Sequence, residues 1–166
     1  MPDILLDLGD GYDGESQISE FEGKIICDSF SFGATQPSDM SRNKSRTVGT
    51  VNVSSVSLSR QVDNSSVHIL NALFTGKSIE TATVHFLKAA SIDGEGQEEF
   101  LTVTLTNPLI ESYNVSGSNG GYMSEQLSLT FTDISFDYKI QGETGGMEGG
   151  NVNATYDVMT GVASAA

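Results

Sequence analysis

The chain has 166 residues, 37% of them hydrophobic, enough for one domain that buries a real core. Its 22 acidic and 8 basic residues leave a net charge of −14, which repels phosphate backbones and anionic membranes and argues against nucleic acid and membrane-surface partners. One cysteine, Cys27, excludes an intrachain disulfide, and no segment approaches the ~20 apolar residues of a membrane span.

Residues 1–9 carry no basic group ahead of a short apolar run broken by Asp3 and Asp7, so synthesis in the cytoplasm without a Sec leader is expected. Residues 3–8 read as a first strand, and 9–16 as a turn-rich loop. The acids Asp10, Asp13 and Glu15 lie out of phase with a calcium-loop pattern, so a solvated turn is the reading. Gly9, Gly11 and Gly14 match a dinucleotide fingerprint, but no helix follows to present its N-terminus to a pyrophosphate.

Residues 24–32 read as a second strand with Ile26, Phe30 and Phe32 on a bulky core face that Asp28 interrupts. Ile25, Cys27, Ser29 and Ser31 form the smaller opposite face, open to solvent, a partner or a cavity. Residues 37–46 are polar, hold three of the basic residues and lack periodicity, so they read as an extended surface loop.

The alternation along 47–62 changes phase near Ser54 and Ser55, and the same slip recurs at Thr132 and Asp133 within the last long strand, 125–140. A one-residue slip moves the apolar set to the opposite face. Each strand therefore carries a bulge or passes between two buried environments, as in a small, strongly bent barrel.

Between the slips lies the one helical pattern. Asp63, Asn64 and Ser65 are good N-caps, Ile69 with Leu73 and Leu70 with Phe74 stack at four-residue spacing, and Gly76 closes the turn, which predicts a helix over about 64–75. Strands follow at 78–90, with Ala82, Val84 and Phe86 inward, and at 100–106, with Leu101, Val103 and Leu105 inward. Residues 92–97 form the turn between them, 109–115 another strand, and 116–121 a loop. The segment from 141 to 151 is glycine-rich, and alternation resumes through Val152, Ala154 and Tyr156, so this arm adds a strand to its own barrel or packs on a neighbour.

The residues offer no catalytic signature. Gly76-Lys77-Ser78 ends a helix rather than opening one as a phosphate-binding loop does. His68 and His85 would need a third ligand or a nucleophile to form a site, and Glu98 and Glu99 are adjacent, which puts them on opposite strand faces or in a solvated turn. Five glycosylation sequons, beginning at Asn43, Asn52, Asn64, Asn114 and Asn153, follow from Ser, Thr and Asn richness. A β domain without cofactor or metal site favours assembly or binding over catalysis.

Ordered landmarks over nearly the whole chain resemble the haemolysin-coregulated protein (Hcp) family, which builds the inner tube of the bacterial type VI secretion system. They are Gly14-Glu15-Ser16, Ser29-Phe-Ser-Phe-Gly33 with Gln36, Asp63 to Ser66 entering the helix, and Gly76-Lys77 after it. Ala89-Ala90, the 101–105 strand, the 112–121 turn, the 125–131 strand and Tyr156-Asp157 complete the set. Departures are the absence of tryptophan where Phe30 and Phe32 stand, Val67 in place of a proline, and the glycine-rich tail.

The resemblance implies a mainly β fold spanning 1–166, a compact β-barrel of two antiparallel sheets with one short flanking helix, and no catalysis. It implies a hexameric ring, rings stacked into a tube, and sheath, spike and baseplate proteins as partners, with secretion as the tube is expelled. It further implies that Ser29 and Ser31 line the lumen, Ser31 standing where family members touch small effector cargo; on the residues alone Ser31 is equally a solvent-facing strand serine. Ser38, Asp39, Met40, Ser41, Arg42, Asn43, Lys44, Ser45 and Arg46 are the expected assembly contacts. The alternatives are a tail-tube protein of a phage or related injection machine and, in another class, a small acidic enzyme or carbohydrate-binding module.

Overall fold

The computed structural model describes residues 3–39, 47–48, 50–89, 96–140 and 150–165. The predicted turn at 92–97 and the glycine-rich 141–151 segment fall largely outside them. The chain opens with β1 (Asp3–Asp7), whose Leu5 and Leu6 are fully buried. The following loop doubles back along itself: the N–H groups of Gly14 and Ser16 donate to the carbonyls of Gly23 and Lys24 at 2.8 and 3.1 Å. A Cβ on Gly14 would lie 2.5 Å from the Lys24 carbonyl, so this approach requires glycine.

The next stretch corrects the sequence expectation. It is two short strands, β2 (Ile25–Cys27) and β3 (Ser29–Ser31), that belong to different sheets and meet at Asp28. Ile25 and Cys27 are core residues and Ile26 is exposed, whereas beyond Asp28 it is Phe30 and Phe32 that pack inward. The change of sheet inverts the parity, and Asp28 is where the inversion happens.

A β arm follows, made of two short antiparallel ladders: β4 (Ala34–Thr35) with β7 (Asn52–Val53), and β5 (Ser38–Asp39) with β6 (Thr47–Val48). Ser38 and Asp39, inside the stretch 37–46 that the sequence suggested was only a loop, are thus a strand paired with Thr47 and Val48. The root of the arm is held by Gly33 and Ser54, each of whose N–H groups donates to the other residue, both at 2.8 Å. The chain then enters β8 (Val56–Gln61), so the first phase slip marks the passage from arm to barrel.

The helix α1 (Ser65–Thr75) begins where the cap residues predict. Asp63 performs the capping: its carboxylate accepts the Ser65 N–H at 2.9 Å, and the Ser66 hydroxyl accepts the Asp63 N–H at 3.0 Å. Gly76, at φ 64°, closes the helix. The helix packs on β11 with Ser65, Ser66, Ile69 and Ala72 buried. Leu73 rests half-buried on the core, but Phe74, expected in the same stripe, is 76% exposed.

The remaining strands are β9 (Thr81–Ala89), β10 (Gln97–Thr106), β11 (Leu109–Ser116), β12 (Ser124–Thr130), β13 (Asp133–Lys139), β14 (Asn151–Asp157) and β15 (Val162–Ala165). Glu98 and Glu99 therefore stand inside a strand, not in a turn, with a bulge between Glu99 and Leu101. The larger sheet runs β15-β14-β13-β10-β9-β1-β2 and the smaller β11-β12-β8-β3, all antiparallel. The chain crosses between them four times: at Asp28, through α1 between β8 and β9, between β10 and β11, and between β12 and β13 at the second phase slip. Leu58, Ile69, Val84, Val103, Leu127 and Leu129 sit at the centre of the shared core and are fully buried. The C-terminal alternating segment joins the chain's own sheet, β14 pairing with β13.

Candidate functional site

The smaller sheet presents three outward rows without charge, with the carboxylates of Asp28 and Glu111 at their margins. In antiparallel sheets directly paired residues point the same way, so register alone assembles them. One outward row reads Ser29, Ser59, Gln126, Asn114; the next reads Ser31, Ser57, Ser128, Ser112; a third reads Gln61, Ser124, Ser116. Ser29 and Ser31, singled out from sequence, are both exposed members of this grid. Ser29 and Ser59 share a hydrogen bond at 2.5 Å, as do Ser57 and Ser128 at 3.3 Å. At its margin the Ser55 hydroxyl donates to the Glu111 carboxylate at 2.5 Å.

The inward rows of the same strands are apolar with one exception. Phe30, Leu58, Leu127 and Tyr113 form one row, while Arg60 and Glu125 pair directly across β8 and β12 and point into the protein. Arg60 is fully buried and Glu125 is 2% exposed. The guanidinium forms an ion pair with Glu125 and a second with Asp63 at 2.8 Å, and donates to the hydroxyls of Ser65 and Ser66 at 2.9 and 3.0 Å. Ser66 donates onward to Glu125 at 3.1 Å, and the Tyr113 hydroxyl donates to the same carboxylate. Burial, and then that carboxylate, push the Tyr113 phenol up to about 12.

This network ties β8, β11, β12 and the first turn of α1 together. Its charges carry a parity signal in the sequence: Arg60 follows Val56 and Leu58 at two-residue steps, and Glu125 precedes Leu127 and Leu129 in the same way. Two opposite charges on the core parity of neighbouring strands mark a buried pair.

At the corner where β2 gives way to β3 lies a recess of about 210 Å³ lined by Glu15, Ile26, Asp28, Gln61, Val62 and Asp63. It opens at the Gln61 end of β8. The arm is rooted at the other end, beside Val56. Of the expected assembly residues, Ser38 and Asp39 form β5 in that arm; Met40, Ser41, Arg42, Asn43, Lys44, Ser45 and Arg46 lie outside the described residues.

The titratable residues considered for chemistry are dispersed. His68 is exposed on α1, next to Tyr12 and Asn71. His85 lies on β9 under the ring of Phe21, at 5.2 Å, and is paired with Glu99, which also receives Lys139 at 3.0 Å. Burial raises the Glu99 carboxyl, but hydrogen bonds from His85, Lys139 and Thr102 together outweigh it and hold its pKa at about 2. Among the described residues no group of three or more His, Cys, Asp or Glu could hold a metal ion. Cys27 is buried, and its surroundings push the thiol up to about 12, out of reach of nucleophilic chemistry.

Residues 6–138 match the sequence profile described as "Type VI secretion system effector, Hcp". The chain is 31% identical over 113 residues to "Protein hcp1" of Pseudomonas aeruginosa, an alignment covering 68% of each protein. Among solved structures, it resembles Hcp1 from Salmonella typhimurium with a TM-score of 0.77 and 25% identity, over 98% of this chain and 99% of that one. A structure titled "Structure of a type six secretion system protein" superposes with a TM-score of 0.87 at 22% identity, over 99% of this chain and 100% of that one, a likeness of fold.

Proposed function

The chain belongs to the Hcp family of type VI secretion proteins, and from that membership we propose that it is a structural subunit of the secretion tube that closes into six-membered rings. The role is structural rather than catalytic. The single observation that carries the reading of the site is the uncharged serine face in a chain of net charge −14. Acids crowd the rest of the sequence, yet none stands in the three rows facing away from the core of the smaller sheet. In a ring this face is the lumen wall, with Ser29 and Ser31 among its cargo contacts.

A face of hydroxyls and amides suits passing cargo. It offers many weak, exchangeable hydrogen bonds and neither attracts nor repels a charged effector strongly. Residues 38–46, carried on the arm, touch the next ring of the stack. Self-association of this kind needs a contact between two unlike patches repeated by rotation for the ring and by translation for the stack. Sheath, spike and baseplate proteins are the other partners, and the protein leaves the bacterial cytoplasm with the expelled tube.

Native mass spectrometry of the purified chain, with negative-stain images of the same sample, tests the reading. Six-subunit rings with an open centre are expected. A strict monomer at every concentration overturns it and revives a binding module or small enzyme.

A further inference from the structure

We infer that the cleft between the loop after β1 and the segment joining α1 to β9 binds a neutral oligosaccharide, with the Tyr12 ring as platform and Asp10, Asn71, Lys77 and Glu80 as polar contacts. The cleft shares no residue with the serine face, so the inference stands apart from the tube reading.

The first support is construction. The glycines that resemble a dinucleotide fingerprint build one wall of the cleft. Gly9 and Gly11 both sit at φ 88°, a left-handed conformation that other residues rarely adopt, and the Tyr12 N–H donates back to the Gly9 carbonyl at 3.4 Å. The Gly9 N–H donates in turn to the Asp7 carboxylate at 2.9 Å, which pins the turn at its base. It delivers Tyr12 half-buried against the core. On the other wall Gly76 ends the helix, and the Ile79 N–H donates to the Pro108 carbonyl at 2.9 Å. Between the walls lies a recess of about 410 Å³ lined by the buried Leu8 and Ile79, within the roughly 300–1,000 Å³ of ligand clefts. A second recess of about 150 Å³ shares Asp10, Tyr12 and Lys77 with it and continues to His68 and Asn71 on α1. Two adjoining hollows with one aromatic side chain in common suit a ligand built of successive ring-sized units.

The second support is charge. Asp10 and Glu80 are exposed carboxylates and Lys77 an exposed ammonium, and none of the three has an ion-pair partner among the described residues. Two carboxylates disfavour an anion, and Lys77, which lines both recesses, disfavours a cation in either. A ligand with many hydroxyls and no charge uses all three. The carboxylates accept from its O–H groups, the ammonium donates to its oxygens, and the Asn71 amide does both. The Tyr12 ring, with Leu8 and Ile79, offers the apolar surface that the C–H face of a sugar ring covers.

The experiment is saturation-transfer difference NMR, read by titration, on the full chain in its native assembly. The probes are the linear trimers of glucose, mannose and N-acetylglucosamine, with trigalacturonate as the charged control. At least one neutral trimer should receive saturation with a Kd of about 1 mM or lower, and trigalacturonate should bind about tenfold or more weakly. Tyr12→Ala and the exposed pair Asp10→Ala/Glu80→Ala should each weaken the neutral trimer about tenfold or more, with assembly checked by native mass spectrometry and folding by a thermal melt. Tyr12 also touches the core, so the exposed pair decides the matter if Tyr12→Ala unfolds. The proposal is overturned if none of the three trimers receives saturation at about 5 mM, if binding survives Asp10→Ala/Glu80→Ala unchanged, or if trigalacturonate is preferred.

Discussion

Replacing Glu125 with alanine removes the direct partner of a guanidinium that has no access to water. Breaking a buried pair from one side costs about 3–5 kcal/mol, because the surviving charge stays buried. Here Asp63 remains 2.8 Å from Arg60, which holds the loss to the lower end of that range, while the Tyr113 hydroxyl loses its acceptor. A net loss of about 3 kcal/mol is expected, which for a chain of this size lowers the melting temperature by about 6–12 °C. The assay is thermal and urea unfolding at fixed protein concentration, since assembly shifts apparent stability. The Arg60→Met/Glu125→Leu pair, which fills the same space with apolar groups, should recover at least half of the loss. A Glu125→Ala cost below about 1 kcal/mol, or a double variant as unstable as the sum of its singles, would refute the account of this network.

Three further outcomes follow from the same packing. Leu73→Asp places a charge against the core and should cost about 2–3 kcal/mol, whereas Phe74→Asp, at a position 76% exposed, should stay within about 0.5 kcal/mol; equal effects in a urea melt would mean the helix is turned otherwise. The Glu99 carboxyl, at about 2 in the fold against 4.5 unperturbed, stabilises the fold above pH 4.5, and that contribution disappears as pH falls through 2. Glu99→Gln should therefore flatten the acid limb of the stability profile, and an unchanged limb would place the acid sensitivity elsewhere. Cys27, raised from 9.0 to about 12, stabilises the fold fully below pH 9 and ceases to do so as pH climbs through 12; in native protein at pH 8 it should resist a thiol-alkylating reagent that labels it at once in urea, and fast native labelling would contradict its burial.

Much of this architecture is legible in the sequence because strand parity is so strict. The slips at Ser54-Ser55 and Thr132-Asp133 mark the junction of arm and barrel and one crossing between sheets. The crossing at Asp28 escaped the same reading because Phe30 and Phe32 continue the parity of Ile26, so a single long strand with one flaw fits the pattern as well as two short ones. What the alternation could not reveal is that Ile26 faces outward. The arm ladders β4–β7 and β5–β6 are two residues long each and polar, too short to display a period. Phe74 matched the helical stripe by spacing, yet a helix laid along β11 buries the side of Ser65, Ile69 and Ala72, with Ile69 in the core and the small Ser65 and Ala72 beside it. The serine grid was visible only as two residues, Ser29 and Ser31, since its other members come from strands brought alongside by pairing across nearly the whole chain.

The serine face has a mechanical consequence. Its rows repeat at the strand spacing of about 4.8 Å across the sheet and about 6.7 Å along each strand. A molecule drawn over such a lattice trades one hydroxyl for an equivalent one at each step, and no step holds a charge to be pulled away from its counter-ion. Friction against the wall is then set by single hydrogen bonds of about 1 kcal/mol, each replaceable by water. As the proposed lumen wall, the face would act as a lubricated bearing, one that lets a load slide without choosing among loads by the sign of their charge.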